Sequence, residues 1–121
     1  MADYLPTFKP GQAITLKASA TITGGQVVEV TGAGTVGPAG ANSTKVVGVA
    51  GFDAATNDNV VVYAGGVQHA TASGAITAGD MIAAAASGAV ATNATPGAGV
   101  QIGVALSSAT NGADVRVLFN R

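Results

Sequence analysis

The chain has 121 residues, of which 9% are charged and none is cysteine. That length matches the commonest domain size and leaves room for one core. A formal charge of −1 excludes the basic surface that nucleic acid requires, and the missing thiols exclude disulfide frameworks and thiolate metal sites.

Residues 1–10, MADYLPTFKP, differ from everything that follows. They hold Tyr4 and Phe8, two of the five aromatics, together with Leu5 and two of the four prolines. The stretch lacks the basic start and apolar run of a secretory signal. Pro6 and Pro10 fix their own φ angles and bias Leu5 and Lys9 toward extended backbone. An extended N-terminal arm is expected, with Tyr4, Leu5 and Phe8 as its interface anchors on a neighbouring surface. The competing reading is a frayed terminus, although exposed apolar groups gain nothing there.

From Ile14 to Ile22 apolar and polar residues alternate strictly, the pattern of a half-buried strand. Gly24-Gly25 turns the chain, and Gln26–Thr31 is a second strand rich in β-branched residues. Gly32–Asn42 reads as a loop with a short edge strand at Thr35-Val36. Strands are predicted at Thr44–Ala50 and Val60–Ala64, separated by a loop whose Asn57, Asp58 and Asn59 suit side-chain-closed turns. Further strands are predicted at Val67–Thr71, Met81–Ala86, Ala89–Thr92, Val100–Leu106 and Asp114–Phe119, with Ile76 as an isolated apolar position. Asn111-Gly112 is a hairpin signal between the last two. Asp80–Ala86 competes for a short helix, since an N-cap residue precedes good helix formers.

The chain writes one pattern twice, which decides that competition. Ala18, Ser19, Ile22, Thr23, Gly25 and Val36 recur at a shift of 54 as Ala72, Ser73, Ile76, Thr77, Gly79 and Val90. Val47–Ala50 recurs at a shift of 55 as Ile102–Ala105, and Ala55-Thr56-Asn57 recurs as Ala109-Thr110-Asn111. The repeat places Asp80–Ala84 on Gln26–Val30, so a strand is expected there. Ala supplies much of the 48% hydrophobic content, so the core is thin and oligomerisation would supply missing buried area.

Chemistry is sparse. His69 is the only histidine and reads as a solvent-facing or satisfied polar residue. Asp53 and Asp58 share a loop without the carboxylate spacing of a calcium site, and are expected to close turns. Glu29 and Asp80 form no general acid/base pair. Gly97 and Gly99 give a GxG with no following helix, hence no phosphate loop. The basic residues Lys9, Lys17, Lys45, Arg116 and Arg121 are scattered, and no 18-residue apolar segment suits a membrane. No catalytic, cofactor-binding or metal residues are expected, and solubility is.

Strand units of the form I-T-x-G-x-V/M-V/I, then V/I-G-V-A, then A-T-N-x-x-x-V-x-V run through the chain. They occupy Ile22–Val28, Val47–Ala50 and Ala54–Tyr63, then Ile76–Ile82, Ile102–Ala105 and Ala109–Leu118. This pattern resembles the small head-decoration, or capsid cement, proteins of tailed bacteriophages over nearly the whole chain after Gly11. The resemblance implies a β-rich structural virion protein, often trimeric, made in the host cytoplasm. It would bind the outside of the head, bridge neighbouring subunits of the major capsid protein and cement the expanded shell. On that basis Tyr4, Leu5 and Phe8 would anchor on the capsid or on a sister subunit.

The expected fold is all-β: a small β-sandwich or β-barrel built from two internally repeated halves, about 12–63 and 66–118. These lie in a single β domain, 11–121, preceded by the extended arm 1–10. The expected partners are the major capsid protein and further copies of the chain, as a homo-oligomer (trimer), with no nucleic acid and no membrane. An alternative is a β-sandwich binding module, adhesin or carbohydrate-binding, on a phage tail or cell surface. The absence of Trp weighs against it, because sugar faces stack on aromatic rings. A small hydrolase is the third reading, and the census of His, Cys and carboxylates opposes it.

Overall fold

The computed structural model describes residues 3–93 and 100–120. Gly97 and Gly99 lie outside these described residues. Ten strands follow in order: β1 (Ile14–Ala18), β2 (Val27–Gly32), β3 (Thr35–Pro38), β4 (Val46–Ala50), β5 (Asn59–Tyr63), β6 (Gly66–Thr71), β7 (Met81–Ala84), β8 (Val90–Thr92), β9 (Gln101–Ala105) and β10 (Asp114–Phe119). The only helical element among the described residues is one 3-10 turn, Ala86–Gly88. The protein is all-β, as its alternating and β-branched stretches predict.

The first five strands form a closed barrel in the order β1-β3-β2-β4-β5. Closure requires β1 to pair on both sides: antiparallel with β5, and parallel with β3 through Lys17↔Thr35 and Ala18↔Val36. The last five strands form a sheet in the order β6-β10-β9-β7-β8. Its ends meet at a single parallel bridge, Ala72↔Val90. Other contacts recur at the same offsets. Ile22 bridges Ala54, and Ile76 bridges Ala109. The Asn57 amide donates to the Ala18 carbonyl at 2.8 Å, and the Gly112 amide donates to the Ala72 carbonyl at 2.8 Å. Asn57 and Gly112 both hold positive φ, 75° and 82°, which glycine and asparagine tolerate best.

Four sequence expectations are corrected. The first strand ends at Ala18, not Ile22: the Ser19 amide makes the last bond to β3, on the Val36 carbonyl at 2.9 Å, and the chain then bends at Ser19-Ala20. Ile22 still reaches the same buried cluster as Ala18, so the alternation continues across a bend. Thr35-Val36 is not an edge strand, since β3 lies between β1 and β2. The seventh strand stops at Ala84, and the helix propensity of the following residues appears only as the 3-10 turn. Asn111-Gly112 does not make a two-residue hairpin. It sits in a turn closed by the Ala113 amide on the Thr110 carbonyl, within the longer connection that carries the Ala109 bridge.

The strand at Met81–Ala84 shows how tertiary context overrides local propensity. It pairs with β8 on one side and β9 on the other, and Ile82, Ala83 and Ala84 are buried. Alanine fits there because its side chain is small, not because it favours strands.

Among the described residues two apolar clusters fill the interior. One lies inside the barrel and includes Ala18, Ile22, Val28, Val36, Val60 and Val62. The other joins Val27, Ala39, Val46 and Val49 of the first half to Ile76, Ile82, Val90, Ile102, Val115 and Phe119 of the second. The largest fully buried side chains are Ile and Val. Each contributes about 1.5–3 kcal/mol on burial, so the core depends on many small contributions.

Candidate functional site

The N-terminal segment from Asp3 to Pro10 enters no strand, and each of its residues is exposed. Tyr4 is 77%, Leu5 83% and Phe8 37% exposed, so these three apolar side chains sit in water on this chain. The segment ends in a turn with a clear sequence cause. Pro10 and Gly11 occupy the two central positions, and Gly11 has φ +83°. The Gln12 amide donates to the Lys9 carbonyl at 3.0 Å, and the Lys9 amide donates to Gln12 Oε1 at 2.7 Å. Proline followed by glycine is the preferred pair for a turn of this kind. It sets the direction in which Tyr4, Leu5 and Phe8 leave β1.

The polar residues singled out in the sequence serve the fold. His69 Nδ1 lies 2.8 Å from Asp114 Oδ2, and both side chains are exposed. They stand on the wall of a cleft of about 550 Å³ that opens where Gly24–Gln26 face Ala86–Ala89. Asp58 closes its own turn by accepting from the Ala55 amide at 3.2 Å. Asp53 ties two loops instead, accepting from the Gly24 amide at 2.8 Å. Glu29 accepts from the Gly40 amide at 2.7 Å and faces Lys45 at 3.8 Å. Asp80 accepts from the Thr77 amide and the Thr92 hydroxyl. Glu29 and Asp80 thus hold separate loops. Among the described residues no three His, Cys, Asp or Glu side chains converge as a metal site.

A second apolar surface was not legible in the sequence. Cross-strand partners Met81↔Val104, Val104↔Leu118 and Leu118↔Val67 form a row across β7, β9, β10 and β6. Val67 is 52% and Leu118 43% exposed, while Met81 and Val104 are half-buried. The corresponding row of the first half is Val27↔Val49 and Val49↔Tyr63. There Val27 and Val49 are buried against the second half, and Tyr63 remains exposed at the row's end. Phe52 is exposed as well. Strand alternation marks both rows equally as one face of a sheet; only the packing of the halves distinguishes them.

An apolar segment, an apolar sheet row and a polar set occupied in turns describe a protein made for contact. Comparison with known proteins decides which kind. The sequence profile of the phage cement protein family matches residues 8–120. The chain belongs to the phage cement protein family. This cement protein is a structural component of the phage virion and stabilises its capsid. Its fold is also similar to a solved structure, the head fiber gp8.5 N base of bacteriophage phi29. The two share 19% sequence identity with a TM-score of 0.71, covering 89% of this chain and 92% of that one. At that identity the likeness concerns the fold. No curated protein matches the chain.

Proposed function

We propose that this cement protein attaches to the outer surface of the expanded phage head, where it bridges neighbouring major capsid protein subunits as a homotrimer. It carries no enzymatic activity in this reading. The observation that carries the reading is the family match over residues 8–120. The chain is read as one β domain, 11–121, made of two duplicated halves and preceded by a docking arm, 1–10. The recurrence of strand order and loop contacts supports the duplication. The exposure of Tyr4, Leu5 and Phe8 supports the arm.

The mechanism is binding linkage. A ligand that recognises only the expanded shell stabilises that state by RT ln(1 + [L]/Kd) per site. Specificity for the expanded state arises because bridging demands two neighbouring subunits at one spacing, and expansion changes that spacing. Co-sedimentation with expanded and unexpanded empty shells tests this. Saturable binding to expanded shells alone is expected; equal binding to both, or to neither, contradicts it. A glycan panel in the same experiment should retain no protein.

A further inference from the structure

The contact between the two halves joins surfaces that are not equivalent. On the first half it uses Gln26, Val27, Ala39 and Asn42; on the second it uses the stretch Ala84–Gly88. The Gln26 side-chain amide donates to the Ser87 carbonyl at 2.9 Å. The Gly88 amide donates to the Ala39 carbonyl at 3.0 Å, and the Asn42 amide to the Ala84 carbonyl at 2.9 Å. The packing is tight: a Cβ on Gly88 would lie 2.7 Å from Gln26 Cβ. The shift of 54 residues carries Gln26 to Asp80 and Val27 to Met81, and carries Ala33 to Ser87 and Gly34 to Gly88. The contact is therefore head-to-tail, and a head-to-tail contact formed once leaves one unpaired surface at each end.

Both unpaired surfaces are present, the turn exposed and the row half-buried at Met81 and Val104. The β2–β3 turn holds Gly34 at φ +70°, close to the +72° of Gly88. Around Gly34, however, the space that Gln26 fills beside Gly88 is empty, and Thr31–Gly34 is exposed. At the other end, Met81 and Val104 occupy the places of the buried Val27 and Val49. We infer that the Met81–Val104 surface of one chain receives the Thr31–Gly34 turn of a second copy, repeating between chains the apolar packing of the internal contact. The Gln26–Ser87 hydrogen bond has no counterpart there, because Asp80 stands in the place of Gln26 and its carboxylate accepts from the Thr77 amide and the Thr92 hydroxyl. The partner is a second copy because this chain's own interface shows the shape and backbone of what covers such a row. Repetition produces a ring or a filament. Closure after three chains gives a ring of six similar halves, so the inference rests on the duplicated, trimeric reading above and supplies its interface. Leu118 and Val67 lie at the rim, as Tyr63 does in the internal contact.

The test uses two variants, Ala33→Arg at the turn and Val104→Arg on the row, with mass measured by analytical ultracentrifugation. The wild-type chain is expected to sediment as the trimer, and each variant as a monomer with unchanged circular dichroism. An equal mixture should yield a dimer and nothing larger. In that mixture the intact turn of the Val104→Arg chain meets the intact row of the Ala33→Arg chain, and both remaining ends are blocked. Met81→Arg replaces Val104→Arg if the latter fails to fold. The inference is overturned by a monomeric wild type at its highest soluble concentration. It is equally overturned by variants that assemble like wild type, or by a mixture that stays monomeric. Wild-type binding to expanded shells, measured in parallel, separates failure of this surface from failure of the capsid reading.

Discussion

Gly103→Ala is expected to lower the melting temperature by on the order of 15 °C, corresponding to about 4 kcal/mol for a chain of this size. The cause is contact with backbone. A Cβ at Gly103 would lie 2.3 Å from the Leu118 carbonyl oxygen and 2.8 Å from Val117 Cγ1. Neither neighbour has room, since Val117 is fully buried and Leu118 is held in a ladder with strands on both sides. Beside the glycine the β7–β9 register shifts between Ile82 and Ala83, and irregularities of this kind bring a neighbouring backbone close enough to demand glycine. Gly48 repeats the arrangement against the Tyr63 carbonyl, also at 2.3 Å, beside a register shift between Val28 and Glu29. Thermal unfolding followed by circular dichroism measures the effect. A loss of only a few degrees would show that the strands separate without cost and that the close approach is not structural.

Deleting residues 2–8 is expected to leave the fold intact and to weaken capsid attachment by two to three orders of magnitude, roughly the loss of the two aromatic anchors, Tyr4 and Phe8, at about 2 kcal/mol each. Tyr4 and Leu5 are exposed and contribute no buried area to this chain's core. The turn at Lys9–Gln12 remains in the shortened chain, so β1 still starts from a closed turn. Pro6 and Pro10 restrict the segment before it binds, which reduces the ordering cost of association. Circular dichroism and shell co-sedimentation read the two effects separately. Unchanged attachment would make the segment a frayed terminus, and lost folding would make it part of the domain itself.

Much of the architecture was legible because strand pairing follows side-chain alternation. Gln26–Thr31, Thr44–Ala50 and Asp114–Phe119 could be located, to within two residues of β2, β4 and β10, from β-branched runs between Gly- and Asn-rich turns. The duplicated pattern also settled Met81–Ala84 as strand, against its alanines. What stayed hidden depends on partners distant in the chain. Ile22 continues the alternation of β1, so nothing local reveals that the chain bends at Ser19 to meet Val36. Thr35–Pro38 is short and carries Gly and Pro, features of an edge, yet barrel closure places it between two strands. For the candidate surfaces, the composition of MADYLPTFKP marked Tyr4, Leu5 and Phe8 directly. The Met81–Val104–Leu118–Val67 row was invisible because its equivalents Val27 and Val49 carry the same pattern and are buried.

A protein that stabilises a phage shell by binding it must change the shell's thermal disruption, which calorimetry of expanded empty shells with added protein measures. The shell's disruption temperature should rise with protein and continue to rise with the logarithm of its free concentration above saturation, as linkage requires. A disruption temperature that stays constant while the protein is demonstrably bound would show that binding does not stabilise the shell.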